Sequence, residues 1–143
     1  MPTSPIAQAI FALVLASCAL AWWKGSAAER IGGTVVAAGI AAGVLVGLFL
    51  SDELAPIFYL AGDGLIALAL LAATLRYGSL WLGGAMLLYA AQFALHGYYF
   101  VTERAPDRFH AVFNNLNLLS IVALLLVGTL TAWLRRVRAR AAA

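Results

Sequence analysis

The sequence predicts an all-α integral membrane protein, a polytopic bundle of about five transmembrane helices that forms a single transmembrane domain over residues 1–143. Of the 143 residues, 64% are hydrophobic and only 10% are charged, whereas an average soluble domain is about 45–50% apolar and about one quarter charged. Apolar stretches of about 20 residues recur along the chain, which is the length that an α-helix needs to cross a bilayer. We therefore expect lipid to be the solvent for most of the surface.

The first two transmembrane helices are expected at about residues 5–23 and 30–50. No basic residue precedes the first apolar stretch, as a secretory signal would require, so we interpret this stretch as a spanning helix. Between the two helices, Ser26 and Glu29 have the spacing of a capping box, in which each side chain binds a free backbone amide at the helix start. The turn after Lys24 therefore separates two spans.

Three further helices and a basic cytoplasmic tail are expected at about residues 56–75, 80–101, 112–134 and 135–143. Pro56 suits the first turn of a helix, where its missing N–H would have no partner in any case. The longest polar interruption, residues 102–110, separates the last two spans. Because five helices use nearly all of the chain, any chemistry is expected inside the bundle or on a short loop.

Basic residues are expected to gather on one side of the membrane. Counting Lys and Arg on alternating sides of five helices places these residues together: Lys24, Arg30, Arg76, Arg135, Arg136, Arg138 and Arg140. Because basic loops stay in the cytoplasm, the N-terminus is predicted outside and the C-terminus in the cytoplasm. All four tryptophans fall near helix ends on the basic side, as interfacial aromatic residues do. We expect a multi-pass protein of the cell membrane, specifically a bacterial inner membrane.

The four C-terminal arginines indicate contact with lipid. An arginine cluster next to a membrane span is typically a topology signal and an anionic-lipid contact. The expected partner of this cluster is therefore the lipid bilayer, and no nucleic acid is expected.

Sequence motifs for metal, cofactor or catalytic sites are missing. Cys18 is the only cysteine, so neither an intrachain disulfide nor a thiolate metal site is expected. The sequence contains no HExxH, no CxxC and no glycine-rich phosphate loop. No metal, cofactor or catalytic residue is predicted, and the pattern favours a protein that is not an enzyme.

Glycines recur every fourth position in the second predicted helix, at Gly39, Gly43 and Gly47. Small residues at this spacing form one helix face and let another backbone approach closely, which supplies van der Waals contact that lipid cannot. We interpret this face as a helix-packing face. It could pack within the chain, or it could form a seam to a second copy or another subunit.

Asp63 is the main candidate for a functional residue. It interrupts an apolar stretch, where an ionised carboxylate facing lipid would cost several kcal/mol, so it must face protein or water, or be protonated. His96 is a plausible partner at similar depth, and Gln92 lies one turn earlier on the same helix face. A carboxylate next to a histidine could relay protons.

Further polar side chains are expected near Asp63, at the start of the last span: Asn114, Asn115 and Asn117. The predicted topology gathers these polar groups in the outer half of the bilayer and leaves the inner half aliphatic. The pattern indicates an outward-facing polar pocket, which could bind a small ligand or a proton. Alternatively, it indicates a hydrogen-bond network that only orients the helices.

Two functional hypotheses follow from these features. The first is a small non-catalytic membrane protein that acts as a homo-oligomer or as an accessory subunit of a larger complex, docked through the glycine face. The second is a small proton-coupled transporter, or a membrane protein that binds a small ligand or lipid, with Asp63 and His96 in its pocket. Against the second hypothesis, the sequence shows no internal repeat of the kind that many transporters have.

Overall fold

The computed structural model describes residues 5–51 and 53–142, and this part of the chain consists of five α-helices without a β-strand. The helices are α1 (Pro5–Lys24), α2 (Ala27–Phe49), α3 (Ala55–Tyr77), α4 (Leu80–Val101) and α5 (Arg108–Ala141). The all-α prediction is therefore confirmed. Within the described residues, α2, α3 and α5 are long and apolar enough to cross a membrane.

The helices pack in cyclic order around a common core. Each helix contacts the next one in the chain, α5 returns to contact α1, and α2 also contacts α5. The core contains side chains from several helices that are fully buried, including Val36, Leu70 and Leu125. In contrast, large apolar side chains such as Leu68 and Leu75 are exposed. A bundle with an apolar core and an apolar exterior fits lipid better than water.

The helix ends explain why the chain turns where it does. Gly78 follows α3 in the left-handed conformation, with φ of 59°, which a glycine adopts without a steric penalty. Asp107 caps the start of α5, where its Oδ1 accepts a hydrogen bond of 3.0 Å from the backbone N–H of His110. Because the connections are short, successive helices run in opposite directions, and successive connections lie at opposite ends of the bundle.

The last helix is longer than the sequence indicates. It was expected at 112–134, followed by a tail at 135–143, but α5 begins at Arg108 because Asp107 provides a cap there. It continues to Ala141, since arginine and alanine are strong helix formers. The C-terminal arginines of the described chain therefore lie on a helix, at fixed positions relative to the bundle.

The two ends of the bundle have different character. The end that holds Lys24, Arg76 and the C-terminal arginines is called the basic end below. The opposite end, which holds residues 102–107 between α4 and α5, is called the loop end.

Candidate functional site

Asp63 on α3 and His96 on α4 are joined by a hydrogen bond. His96 Nδ1 lies 2.6 Å from Asp63 Oδ2, and both side chains are 14% exposed. Helix α4 has its most extensive contact with α3, which holds the two residues at the same level of the bundle. The sequence pairs Asp63 and His96 only by their similar predicted depth in the membrane. In the structure, their side chains are in direct contact.

Gln92, one turn before His96 on α4, extends this contact into the bundle. Its Nε2 lies 3.2 Å from His96 Nε2 and also donates to Oδ1 of Asn114 on α5. Its Oε1 accepts a hydrogen bond of 2.9 Å from Nδ2 of Asn117. Gln92 is 5% exposed, so its amide is shielded from solvent and forms its hydrogen bonds with these protein groups. Its side chain thus links α4 to two residues of α5.

Asn117 ends the network on the interior side. Its Nδ2 also donates to the backbone carbonyl of Leu88 at 3.0 Å, and its side chain is 6% exposed. Asn114 and Asn115 lie closer to the surface and are exposed. Of the six polar residues predicted for the site, five are joined by hydrogen bonds, whereas Asn115 lines the cavity beside them.

One series of hydrogen-bond donors in this network runs from Asn117 through Gln92 to His96. Asn117 uses both amide protons on Leu88 and Gln92, and Gln92 uses both of its amide protons on Asn114 and His96. An imidazole that accepts at Nε2 carries its proton on Nδ1, the nitrogen that faces Asp63. A neutral His96 in this arrangement donates to the carboxylate of Asp63, where this series of hydrogen bonds ends.

A cavity of about 260 Å³ lies beside the network, between α2, α3, α4 and α5. Polar residues on its wall are Tyr59, Asp63, Gln92, His96, Asn114, Asn115 and Asn117. Tyr59 and His96 also line a second cavity of about 630 Å³ at the loop end, which is bordered by Arg104 and His110. The two side chains thus stand between an interior cavity and a larger one at the loop end.

Aromatic and charged groups surround the larger cavity. The His110 ring lies 5.2 Å from that of His96 and 4.9 Å from that of Tyr99, measured between centroids. Tyr99 donates a hydrogen bond of 2.6 Å to Asp107, which also pairs with Arg104 at 2.8 Å. The Tyr99 hydroxyl and the backbone N–H of His110 hold the pKa of Asp107 below its usual range. The sequence places His110 and Asp107 in the polar interruption between the last two spans, and it gives no signal that either would lie beside the site.

A metal site is not built here. Within residues 5–51 and 53–142, no group of three His, Cys, Asp or Glu side chains is placed to hold a metal ion. The arrangement can instead bind and release protons, since a carboxylate and an imidazole share a short hydrogen bond next to a cavity. The amide groups around them offer hydrogen bonds to a small polar ligand.

A second buried acid lies near the basic end. Glu29 on α2 is 4% exposed; its Oε1 accepts a hydrogen bond of 2.9 Å from the indole of Trp81, and its Oε2 accepts from the backbone N–H of Ser26 at 2.9 Å. The basic end thus holds a buried polar contact in the first turn of α2, at the position where the sequence predicts a helix cap. The capping spacing identified the bond to Ser26, but no sequence signal pairs Glu29 with Trp81.

Close helix packing occurs at the glycines of the predicted helix-packing face and also at glycines outside it. A Cβ on Gly39 would come within 2.5 Å of Ile66, and one on Gly47 within 3.3 Å of Tyr59, so this face packs against α3 of the same chain. At the basic end, the Trp81 indole occupies the space beside Gly32 and Gly128. A Cβ would lie 2.2 Å from the ring at Gly32 and 2.5 Å from it at Gly128.

Comparison of the chain with protein-family models, curated proteins and solved structures finds no match. The functional assignment rests on the site itself.

Proposed function

We propose that this protein is a small proton-coupled transporter with five membrane spans, in which Asp63 and His96 form the proton-binding site of an outward-facing polar pocket. The observation that supports the proposal is the 2.6 Å hydrogen bond between Asp63 Oδ2 and His96 Nδ1 beside a cavity that is lined by four helices. Intramembrane ionisable residues that face a cavity and pair with one another are typical of proton relays and substrate pathways.

The proposed topology adds two membrane spans, α1 and α4, to the three helices that are long and apolar enough to cross a membrane. Besides α2, α3 and α5, the apolar helices α1 and α4 pack in the same cyclic bundle. The basic end would face the cytoplasm under the positive-inside rule. There, Lys24 Nζ lies 4.0 Å above the ring of Trp23 and 5.6 Å from that of Trp133, an arrangement that suits an aromatic belt at an interface. The loop end, with its larger cavity, would then face outside.

The direction of the hydrogen bonds gives the site a coupling mechanism. A proton added to His96 Nε2 removes the acceptor that the Gln92 amide now uses. Gln92 must then rotate to present its Oε1, which withdraws the acceptor from Asn117. Proton binding at His96 would thereby rearrange contacts between α4 and α5. A small polar ligand in the cavity could favour either arrangement through the same amides.

Proton flux in reconstituted vesicles tests the proposal. The probe is a pH-sensitive dye inside vesicles, with a potassium gradient and an ionophore supplying the driving voltage. We expect faster proton entry with the wild type than in protein-free vesicles. Asp63→Asn should reduce the rate to that of protein-free vesicles, because the amide cannot carry the proton.

The matched control is Glu53→Gln, which removes an exposed acid from the turn before α3 without touching the cavity. It should retain the wild-type rate. Flux in Asp63→Asn equal to the wild type, or flux in the wild type equal to protein-free vesicles, would contradict the proposed role of Asp63.

The hypothesis of a non-catalytic subunit stays a prediction. The glycine face that motivated it contacts Ile66 and Tyr59 of the same chain, so this face offers no obvious free seam. Gly43 is the least crowded of the three, with a Cβ position 4.0 Å from Tyr59. Native mass spectrometry of wild type and Gly43→Ile tests it, since loss of an oligomer in the variant would support a docked partner.

A further inference from the structure

A third large cavity, of about 700 Å³, lies at the basic end and is separate from the proposed proton site. It is enclosed by the start of α2, the turn between α3 and α4, and the second half of α5. It shares no lining residue with the two cavities at Asp63 and the loop end. A molecule in this cavity would therefore contact none of the residues that line the other two.

The wall of this cavity changes from apolar to basic along α5. Leu124 and Val127 line it near the middle of α5, whereas Arg135 and Arg136 line it near the end of the bundle. Twelve residues separate Leu124 from Arg136, which corresponds to about 18 Å along a helix. The cavity thus has the length and polarity of an amphipathic molecule that lies parallel to the helices.

Hydrogen-bond donors line this cavity together with the arginines. Ser79 stands at the start of α4, where its hydroxyl caps no backbone amide. Arg135 is exposed at the rim, and Arg136 is held in place by a hydrogen bond from its Nη2 to the carbonyl of Lys24. Guanidinium groups bind phosphate oxygens through several N–H donors at once.

We propose that this cavity binds one anionic phospholipid, with its phosphodiester headgroup at Arg135 and Arg136 and an acyl chain against Leu124 and Val127. One acid, Glu29, lies on the same wall: it is 4% exposed and both its oxygens accept hydrogen bonds from Ser26 and Trp81, whereas two guanidinium groups, those of Arg135 and Arg136, line the cavity. The headgroup lies at the level of the helix ends, where a phospholipid of the cytoplasmic leaflet places its phosphate.

Native mass spectrometry of the detergent-solubilised protein tests the proposal with dioleoyl phosphatidylglycerol and dioleoyl phosphatidylcholine as the added lipids. We expect one phosphatidylglycerol to remain bound at concentrations where phosphatidylcholine does not. Arg135→Gln should weaken phosphatidylglycerol binding by about fivefold, equivalent to about 1 kcal/mol for one charge at a headgroup. Arg135 is the residue chosen because Arg136 also holds α1 against α5.

The matched control is Arg138→Gln, which removes the same charge from an exposed position of α5 outside the cavity. It should leave binding within twofold of the wild type. Equal losses in the two variants would show a diffuse surface charge and overturn the proposal, as would unchanged binding in Arg135→Gln. Competition with inorganic phosphate distinguishes a site for a free anion from a site for a lipid. Displacement of phosphatidylglycerol by millimolar phosphate would overturn the assignment to a lipid, whereas retention supports it.

Discussion

His96 Nδ1 lies 2.6 Å from Asp63 Oδ2, and the other nitrogen of the same imidazole, Nε2, lies 3.2 Å from the Gln92 amide nitrogen. The pair joins α3 to α4, and the amide joins both helices to α5. A single side chain, His96, therefore connects the Asp63 carboxylate to amide groups on α4 and α5. The contact contributes to stability and to the proposed function at once, and substitutions can separate the two contributions.

The first prediction compares the loss of the hydrogen-bond partner of Asp63 with the loss of its ionisable carboxyl group. His96→Ala removes the donor and leaves a carboxylate that is 14% exposed without its partner, so the free energy of unfolding should fall by about 1–3 kcal/mol. Asp63→Asn keeps an oxygen that accepts from His96 Nδ1 and should cost less. Unfolding in mixed micelles of mild detergent and dodecyl sulfate provides the measurement. Equal stability of His96→Ala and the wild type would show that the hydrogen bond contributes nothing.

The second prediction concerns the tautomer of His96. Because Gln92 Nε2 faces His96 Nε2, the neutral ring should carry its proton on Nδ1. Solid-state ¹⁵N spectra of histidine-labelled protein should show a protonated Nδ1 and an unprotonated Nε2. In Gln92→Glu, the carboxylate can only accept, so Nε2 should become protonated. A protonated Nε2 in the neutral wild-type ring would contradict the direction of the network.

The third prediction concerns the space that glycine leaves for Trp81. Gly128→Ala would place a Cβ 2.5 Å from Cδ1 and 2.6 Å from Nε1 of a rigid indole. We expect the free energy of unfolding to fall by about 1–3 kcal/mol, as for other overpacked cores, with a change in the fluorescence of Trp81.

Gly62→Ala is the matched control for this substitution, because no atom lies within 4 Å of its Cβ position. It should leave stability unchanged or raise it, since alanine favours a helix more than glycine does. A greater loss of stability in Gly62→Ala than in Gly128→Ala would show that the indole does not fill the space beside Gly128.

The fourth prediction concerns pH and the start of α5. The pKa of Asp107 is lowered chiefly by the Tyr99 hydroxyl, and next by the backbone N–H of His110. A lowered pKa in the folded state means that the ionised carboxylate stabilises the fold at neutral pH. This stabilisation is present above the ordinary pKa of aspartate and disappears as the pH falls through the lowered value.

Hydrogen exchange of the α5 amides near His110 measures this effect. Protection of these amides should persist at mildly acidic pH and decrease only in strong acid. In Asp107→Ala, protection should already be reduced at neutral pH, because the cap on His110 N–H is lost. Equal protection in the variant and the wild type across this range would rule out the carboxylate as the stabilising group.

Sequence periodicity predicts the parts of the site that lie on one helix. Gln92 and His96 are one turn apart, so their shared face follows from helix geometry alone. The position of Asp63 within an apolar stretch identifies it as a side chain that must avoid lipid. Depth along predicted helices then places Asp63 and His96 at one level. The direction of the hydrogen bonds is not predictable in this way, because it depends on the side chains of a third helix.

By itself, the sequence determines that this protein is an all-α bundle with apolar helices, since helix length and hydrophobicity are local properties of the chain. It also determines which polar side chains cannot face lipid. Only the tertiary structure decides that Trp81 inserts between Gly32 and Gly128 and donates to Glu29. That contact joins residues 52 positions apart. Helix rotation and crossing are set by side chains that interlock between distant segments, and no pattern within one segment contains that information.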